Sequence, residues 1–414
     1  MIQKAHQYRC FPNPKQQTQM NQTFGCVRKY WNILVDCFNN FIDPKTEKEY
    51  REEHLYMKDV SAAALQQKRR DCDETKRQFY DKKRKVQIGK MQFKKKGKAK
   101  DSYRLPNQKF KIDQENSRIY LEKIGWVAIK MDRPIPENAK LFSVTVSRHP
   151  SNQYYVSIQF EIESNPLPLT GNHIGLDFGL KDLFAASNGL AAKNPTFYRK
   201  NQARLRKEQK ALSRKVFKSN RYYKQKRKVA RVHKQIADAR SYYLHNLTTR
   251  LVRAYDLICV ENLNIAGMKR KFGKSASDVS ISETIRQLEY KSLWYGKTLI
   301  KIDQWFPSTQ LCSGCGTKCG PKGLKALSIR EWKCGECGVV HQRDHNAAMN
   351  ILMEGYRVLT NEQYPSNMSE SSKDSESVEY TDYKHRESVR LKDWKAILPS
   401  QMQDSMKCLL NGVS

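Results

Sequence analysis

Nowhere in these 414 residues does an apolar run approach the roughly 20 residues that cross a bilayer. The opening stretch, MIQKAHQYRCFPNPK, also lacks the apolar segment of a secretory signal. Nor are the cysteines spread as a disulfide framework needs. Of eleven, five (Cys312, Cys315, Cys319, Cys334 and Cys337) fall within 26 residues and the rest are scattered. Negative charge is scarce as well: 42 Asp and Glu face 76 Lys and Arg, a formal charge of +34. These absences argue against a membrane-spanning or disulfide-built secreted protein. They lead to the expectation of a soluble, cytoplasmic chain with no membrane partner and one metal-binding cysteine cluster. So large a cationic excess repels itself in a compact fold, so an anionic partner is expected, and nucleic acid fits best.

The basic residues are concentrated. Lys68–Lys100 holds fifteen Lys/Arg and four acids and includes Phe93-Lys94-Lys95-Lys96-Gly97-Lys98. Arg199–Lys234 holds sixteen Lys/Arg and one acid, Glu208, with Tyr222 and Tyr223 among them. Charge runs commonly form solvated faces, but this total favours phosphate contact. Leu205, Leu212, Val216, Val229, Val232 and Ile236 are expected to seat the second run as helices with the cations outward.

Hydrophobic patterning divides the chain. Residues 3–11 read as a strand, and Asn13-Pro14 announces a helix with Met20, Phe24, Val27, Trp31, Leu34 and Phe38 on one stripe. A second helix is expected over about 56–88. Residues 103–163 alternate as strands, with a hairpin at Pro150-Ser151-Asn152, and suggest a small antiparallel barrel or sheet. If the first strand completes it, 13–100 is a helical insertion. After Asn165-Pro166-Leu167-Pro168 the pattern becomes strand–helix: His173–Phe178, Leu183–Ala186, a basic helical region at 196–253, Leu257–Val260, a helix over 281–298, Leu299–Ile302 and a helix over Asn346–Leu359. Residues 361–382 hold six acids, six serines and one lysine, the composition of a disordered linker.

Two kinds of chemistry stand out. Asp177 in Ile174–Leu180 and Glu261 in Leu257–Leu263 each end a buried strand, and Asp344 opens the last helix. A single acid at an element end is usually a cap or a surface charge; three could converge on one sheet edge. Phosphodiester hydrolysis needs charge neutralised on attacking and leaving oxygens, which two Mg²⁺ ions roughly 3.5–4 Å apart supply from carboxylate ligands. The pairs Cys312/Cys315 and Cys334/Cys337 are C-x₂-C units separated by 18 residues, zinc-ribbon spacing for one closed, structural Zn²⁺. Cys319 is a spare or substitute ligand that the two C-x₂-C pairs make unnecessary.

These residues resemble the TnpB family, transposon-encoded RNA-guided nucleases related to the type V CRISPR effectors. The resemblance runs to about residue 358. It rests on Gly175–Gly179, Val260–Leu263, Arg286–Lys291, Phe306–Cys312 and Arg343–Asn350, in that order with the two cysteine pairs. It implies a multidomain α+β fold. A β-barrel wedge domain (1–12 and 101–168) carries a helical recognition insertion (13–100). An RNase H-like RuvC α/β domain (169–307 and 341–360) contains a zinc-ribbon target-loading module (308–340), and 361–414 form a tail.

The resemblance further implies that Asp177, Glu261 and Asp344 bind Mg²⁺ (or Mn²⁺) as the catalytic triad. It implies a guide RNA from the transposon end, one protein per RNA, and double-stranded DNA cut beside a short adjacent motif. Gln66 matches a stretch the family uses near that motif. Lys94, Lys95, Lys96, Arg204, Arg206, Arg214, Arg227 and Lys228 are the expected nucleic-acid contacts. Ser280-Ile281-Ser282-Glu283 departs from the family's Trp-Gly pair. Competing readings are a guide-independent RuvC-like nuclease, a nuclease-inactive RNA-guided regulator and a CRISPR-associated miniature effector.

Overall fold

The computed structural model describes residues 1–361 except 84–88, 90, 99, 266, 268–269, 271–279, 324–325 and 327. The Ser-rich acidic stretch expected to be disordered therefore lies, from 362 onward, outside the described residues. The chain forms two compact units, one of residues 1–164 with 201–237, the other of 165–200 with 238 onward.

The first unit is built on a seven-stranded antiparallel sheet that curls into a near-closed barrel. Its strands are β1 (Ile2–Phe11), β2 (Asp101–Pro106), β3 (Phe110–Asp113), β4 (Arg118–Leu121), β5 (Gly125–Ile129), β6 (Lys140–Arg148) and β7 (Tyr154–Ile162), in spatial order β2-β6-β7-β1-β5-β4-β3. Alternation sets the inner face: Tyr154, Val156, Ile158 and Phe160 of β7 are buried and the residues between them are not. The β6–β7 turn places Asn152 at φ 66°, a left-handed conformation that asparagine tolerates.

Between β1 and β2 come helices α1 (Pro14–Asn39), α2 (Glu47–Glu53) and α3 (Ala62–Tyr80). Asn13 Oδ1 accepts from Gln16 N at 2.9 Å while Asn13 N donates to Gln16 Oε1 at 3.0 Å, a reciprocal cap behind Pro14. The expected stripe of α1 is buried from Met20 to Leu34. The helix expected over 56–88 is shorter. Leu55–Asp59 forms a 3₁₀ turn, and Ser61 starts α3 with extended dihedrals.

The second unit holds β8 (His173–Phe178), β9 (Asp182–Ala186), β10 (Ala191–Lys193), β11 (Leu257–Glu261) and β12 (Thr298–Ile302), in order β10-β9-β8-β11-β12. β11 lies parallel to both β8 and β12, while β9 is antiparallel to β8. Helices α4 (Phe197–Ser213) and α5 (Asn220–Ala254) follow β10; α6 (Ile281–Tyr295) precedes β12, and α7 (Arg343–Asn361) ends the described chain. β11 is apolar from Leu257 to Val260 because both its faces are covered there. Ile258 and Val260 pack with Leu244, Leu251 and Leu288, while Leu257 and Cys259 pack with Ile351, Leu352 and Tyr356 of α7.

Two short strands, β13 (Glu331–Lys333) and β14 (Val340–Gln342), pair as a hairpin just ahead of α7. Just ahead of β11 and β12, Asp256 and Lys297 form a fully buried ion pair. Asp256 also accepts from the backbone of Thr170 (2.6 Å) and Gly171 (2.7 Å), and Lys297 donates to the Pro168 carbonyl (2.7 Å). This cluster pins the chain entering β8. Among the described residues, no helix is long and apolar enough to cross a membrane.

Candidate carboxylate and metal centre

Strand alternation decides which way the acids point. Gly175 and Cys259 lie on the face covered by α7: a Cβ on Gly175 would stand 2.2 Å from the Ala348 carbonyl oxygen, and a Cβ on Gly355 would stand 2.1 Å from the Cys259 sulfur. Asp177 and Glu261 are two residues further along the same strands, so they share that face. The last paired positions of the two parallel strands are Leu176 and Val260, which brings both acids to neighbouring strand ends. Asp344 sits in the first turn of α7.

The three carboxylates act on one another. Burial, then the charges of Glu261 and Asp344, hold Asp177 well above the usual carboxylate range, only partly offset by Arg343. Burial also raises Glu261, against the pull of a hydrogen bond donated by the Ser308 hydroxyl. Asp344 meets Arg330 at 2.8 Å and Arg343 at 3.9 Å.

Sequence reading passed over the side chains that hold this arrangement. Asn350 Nδ2 donates to the carbonyls of Ser308 and Leu311, both at 2.7 Å. One turn earlier, Asn346 Nδ2 donates to Leu311 O at 2.7 Å, and its Oδ1 accepts from Ser313 N at 2.9 Å. Asn346 and Asn350 stand i,i+4 on one helix face, but their partners lie 33 to 42 residues away in sequence. Ser308 thus links Glu261 to the helix that bears Asp344.

Cys312, Cys315, Cys334 and Cys337 offer four sulfurs that all lie within 4.8 Å of one another. Each pair precedes a glycine of positive φ, Gly316 (76°) and Gly338 (71°). The tight turns this permits are closed by Gly316 N to Cys312 O (2.8 Å) and Gly338 N to Cys334 O (3.1 Å). A backbone hydrogen bond at Cys337 holds the Cys334 thiol below the usual thiol range, while burial pushes the Cys312 thiol up. This donor set is compatible with zinc. Cys319 Sγ lies 3.3 Å from Cys334 Sγ, and the His341 Nε2 approaches Cys312 Sγ at 2.9 Å.

The expected nucleic-acid contacts all fall in the first unit and do not behave alike. Lys95, Lys96, Arg206, Arg214, Arg227 and Lys228 are exposed. Arg204 is exposed while donating to Gln235 (3.0 Å), and Gln66 is exposed while donating to Glu47 (3.1 Å). Lys94 differs: it is half-buried, its ammonium 3.6 Å from the Trp31 ring centroid, and burial lowers it to about 8. Lys226 reaches to within 4.0 Å of where a Gly97 Cβ would stand, so the lysine loop and α5 share one positive surface. Leu205, Val232 and Ile236 are buried, as their seating role requires, but Val216 is 79% exposed in the α4–α5 turn.

Two adjacent carboxylate-bearing strands, a third acid on the covering helix and a four-cysteine cluster compatible with zinc make up the candidate site of the mixed α/β unit. Family profiles match residues 155–271 ("Probable transposase"), 282–351 ("Cas12f1-like, TNB domain") and 1–36 ("Helix-turn-helix domain"); the last stretch here holds β1 and most of α1. A Streptomyces pristinaespiralis protein, provisionally named an RNA-guided DNA endonuclease, is 35% identical over 370 residues, covering 86% of this chain and 90% of its own. The similarly named InsQ of Escherichia coli K12 is 31% identical over 86% of this chain and 93% of its own. A solved Cas12f1 from an sgRNA–target DNA complex matches with TM-score 0.51 and 12% identity over 84% of this chain and 98% of that one, a likeness of fold. The chain belongs to the TnpB family, whose curated relatives carry the RNA-guided DNA endonuclease name.

Proposed function

We propose that this chain is a transposon-encoded, metal-dependent RNA-guided endonuclease that cuts double-stranded DNA beside a short adjacent motif, acting in the cytoplasm. The observation that carries the reading is the convergence of Asp177, Glu261 and Asp344 on the α7 face of the sheet, where Asp177 bears the charge of both partners. Mutually repelling carboxylates are a hard-oxygen donor set that suits Mg²⁺ or Mn²⁺. When bound, two such ions neutralise charge on the oxygens of an in-line phosphodiester displacement.

The chain's own residues have definable work. Ser308 orients Glu261, and the Asn346 and Asn350 amides hold the cysteine module against α7. Arg330, paired with Asp344, is placed to meet a phosphate as that carboxylate turns to a cation. In this reading the second unit, with its inserted zinc ribbon, is the RuvC domain. The first unit supplies the wedge barrel, and α1–α3 form the recognition insertion. The lysine loop and the basic stretch of α4 and α5 hold the backbone of guide RNA or of its heteroduplex with target DNA, leaving sequence to base pairing.

Sequencing the RNA that copurifies with the protein tests the guide. A discrete transcript from the transposon end, which programs cleavage of a matching duplex, is expected. Protein that carries no RNA and cuts structured DNA unaided would replace this reading with a guide-independent nuclease.

A further inference from the structure

Helix α5 uses two faces after it enters the second unit. Leu244, Thr248, Leu251 and Val252 are buried toward the sheet. A second stripe, Ala239, Tyr242, Tyr243, Asn246, Leu247 and Arg250, follows the i, i+3, i+4, i+7, i+8, i+11 spacing of one helix face. With Phe197 it lines a hollow of about 430 Å³. One wall is fixed: Tyr243 donates its hydroxyl to Lys193 O at 2.8 Å and meets the Phe197 ring edge-on at 6.1 Å. Tyr242, in contrast, is 73% exposed. From Asp238 to Ala254 the helix carries Arg240, Arg250 and Arg253 against Asp238 alone.

An aromatic hollow with an amide and a guanidinium at its rim, on a cationic helix, is chemically suited to a nucleotide. Rings stack a base, Asn246 can pair with a base edge, and Arg250 can meet the phosphate. We infer that this hollow binds an unpaired nucleotide of single-stranded nucleic acid, with Tyr242 as the stacking platform. The inference rests on the nucleic-acid-directed reading above and adds a binding site remote in sequence from the lysine loop.

The test uses the full chain with oligouridylate and oligothymidylate bearing 5-iodinated pyrimidines, at salt high enough to suppress contacts made through phosphate alone. Photocrosslinks are expected within 239–250. The Tyr242→Ala change should weaken binding about tenfold, as loss of one stacking platform does, and Tyr242→Phe should restore it. Arg250→Ala should lower the salt dependence without moving the crosslink. The better crosslinked oligonucleotide identifies RNA or DNA as the source. Crosslinks confined to 201–237, or equal affinity of Tyr242→Ala and Tyr242→Phe, would overturn the site. Neither readout needs cleavage, so failure here leaves the endonuclease reading standing, and loss of guided cleavage leaves this site to be judged by its crosslinks.

Discussion

The backbone carbonyl of Ala348 occupies the space a side chain on Gly175 would need: a Cβ there would lie 2.2 Å from it and 2.8 Å from Leu352 N. That contact seats α7 on β8 and so fixes where Asp344 stands relative to Asp177. Gly175→Ala should push α7 off the sheet. Because backbone cannot yield as a side-chain tip does, a loss of about 1–3 kcal/mol or more is expected. Cleavage should fall further than the lowered melting temperature explains. An alanine variant with wild-type stability and activity would show that α7 packs otherwise.

Ser308→Ala removes the hydroxyl that donates to Glu261. Partners that orient a metal-binding group typically contribute 10–100-fold, so a loss of about that size in Mg²⁺ affinity or cleavage rate is expected. The bond opposes the rise that burial imposes on Glu261, so its removal should push that carboxyl higher still. The acid limb of the pH–rate profile should move upward. An unmoved profile with unchanged Mg²⁺ dependence would remove Ser308 from the site.

Stability without divalent cation should depend on pH in a definite sense. Asp177 and Glu261 are both raised in the folded state, so the fold holds protons that the unfolded chain releases. Stability should therefore fall as pH rises from the ordinary carboxylate range through their raised values. Asp177→Asn should melt higher than wild type at neutral pH and alike at acid pH, and added Mg²⁺ should narrow the gap. Melting curves that show no pH-dependent gap would contradict the carboxylate crowding.

Much of this was legible in the sequence because it depends on local pattern. The Asn13 cap, the α1 stripe and the doubly covered strand β11 are written in spacing. So are the knuckle glycines, which follow each C-x₂-C pair directly. What escaped depends on distant partners. Leu55–Asp59 reads as helix until Ser61 interrupts it. β2 and β3 are short and carry little alternation of their own, and the antiparallel β9 is set by its turn. Lys94 looks like any surface lysine until Trp31, 63 positions earlier in the sequence, comes beneath it. Val216 fits a helical stripe yet falls in the turn. The acids could be singled out, but the groups that aim them, Ser308, Asn346 and Asn350, act through contacts between distant segments.

Breaking the Asp256–Lys297 pair should destabilise the second unit sharply. Lys297→Met leaves Asp256 buried with only its two backbone donors, and Asp256→Ala leaves a buried ammonium; each is expected to cost about 3–5 kcal/mol. Replacing both together should cost less than the sum of the two. Chemical denaturation of the three variants checks this, and simple additivity would mean that the pair is not coupled.

The most direct measurement compares wild type and Asp177→Ala, each loaded with the same guide RNA, in binding and cleavage of a matching DNA duplex with Mg²⁺. The account predicts equal guided binding and cleavage by the wild type alone. Cleavage by Asp177→Ala at the wild-type rate would contradict it, and so would a wild-type protein that binds the guided duplex without cutting it.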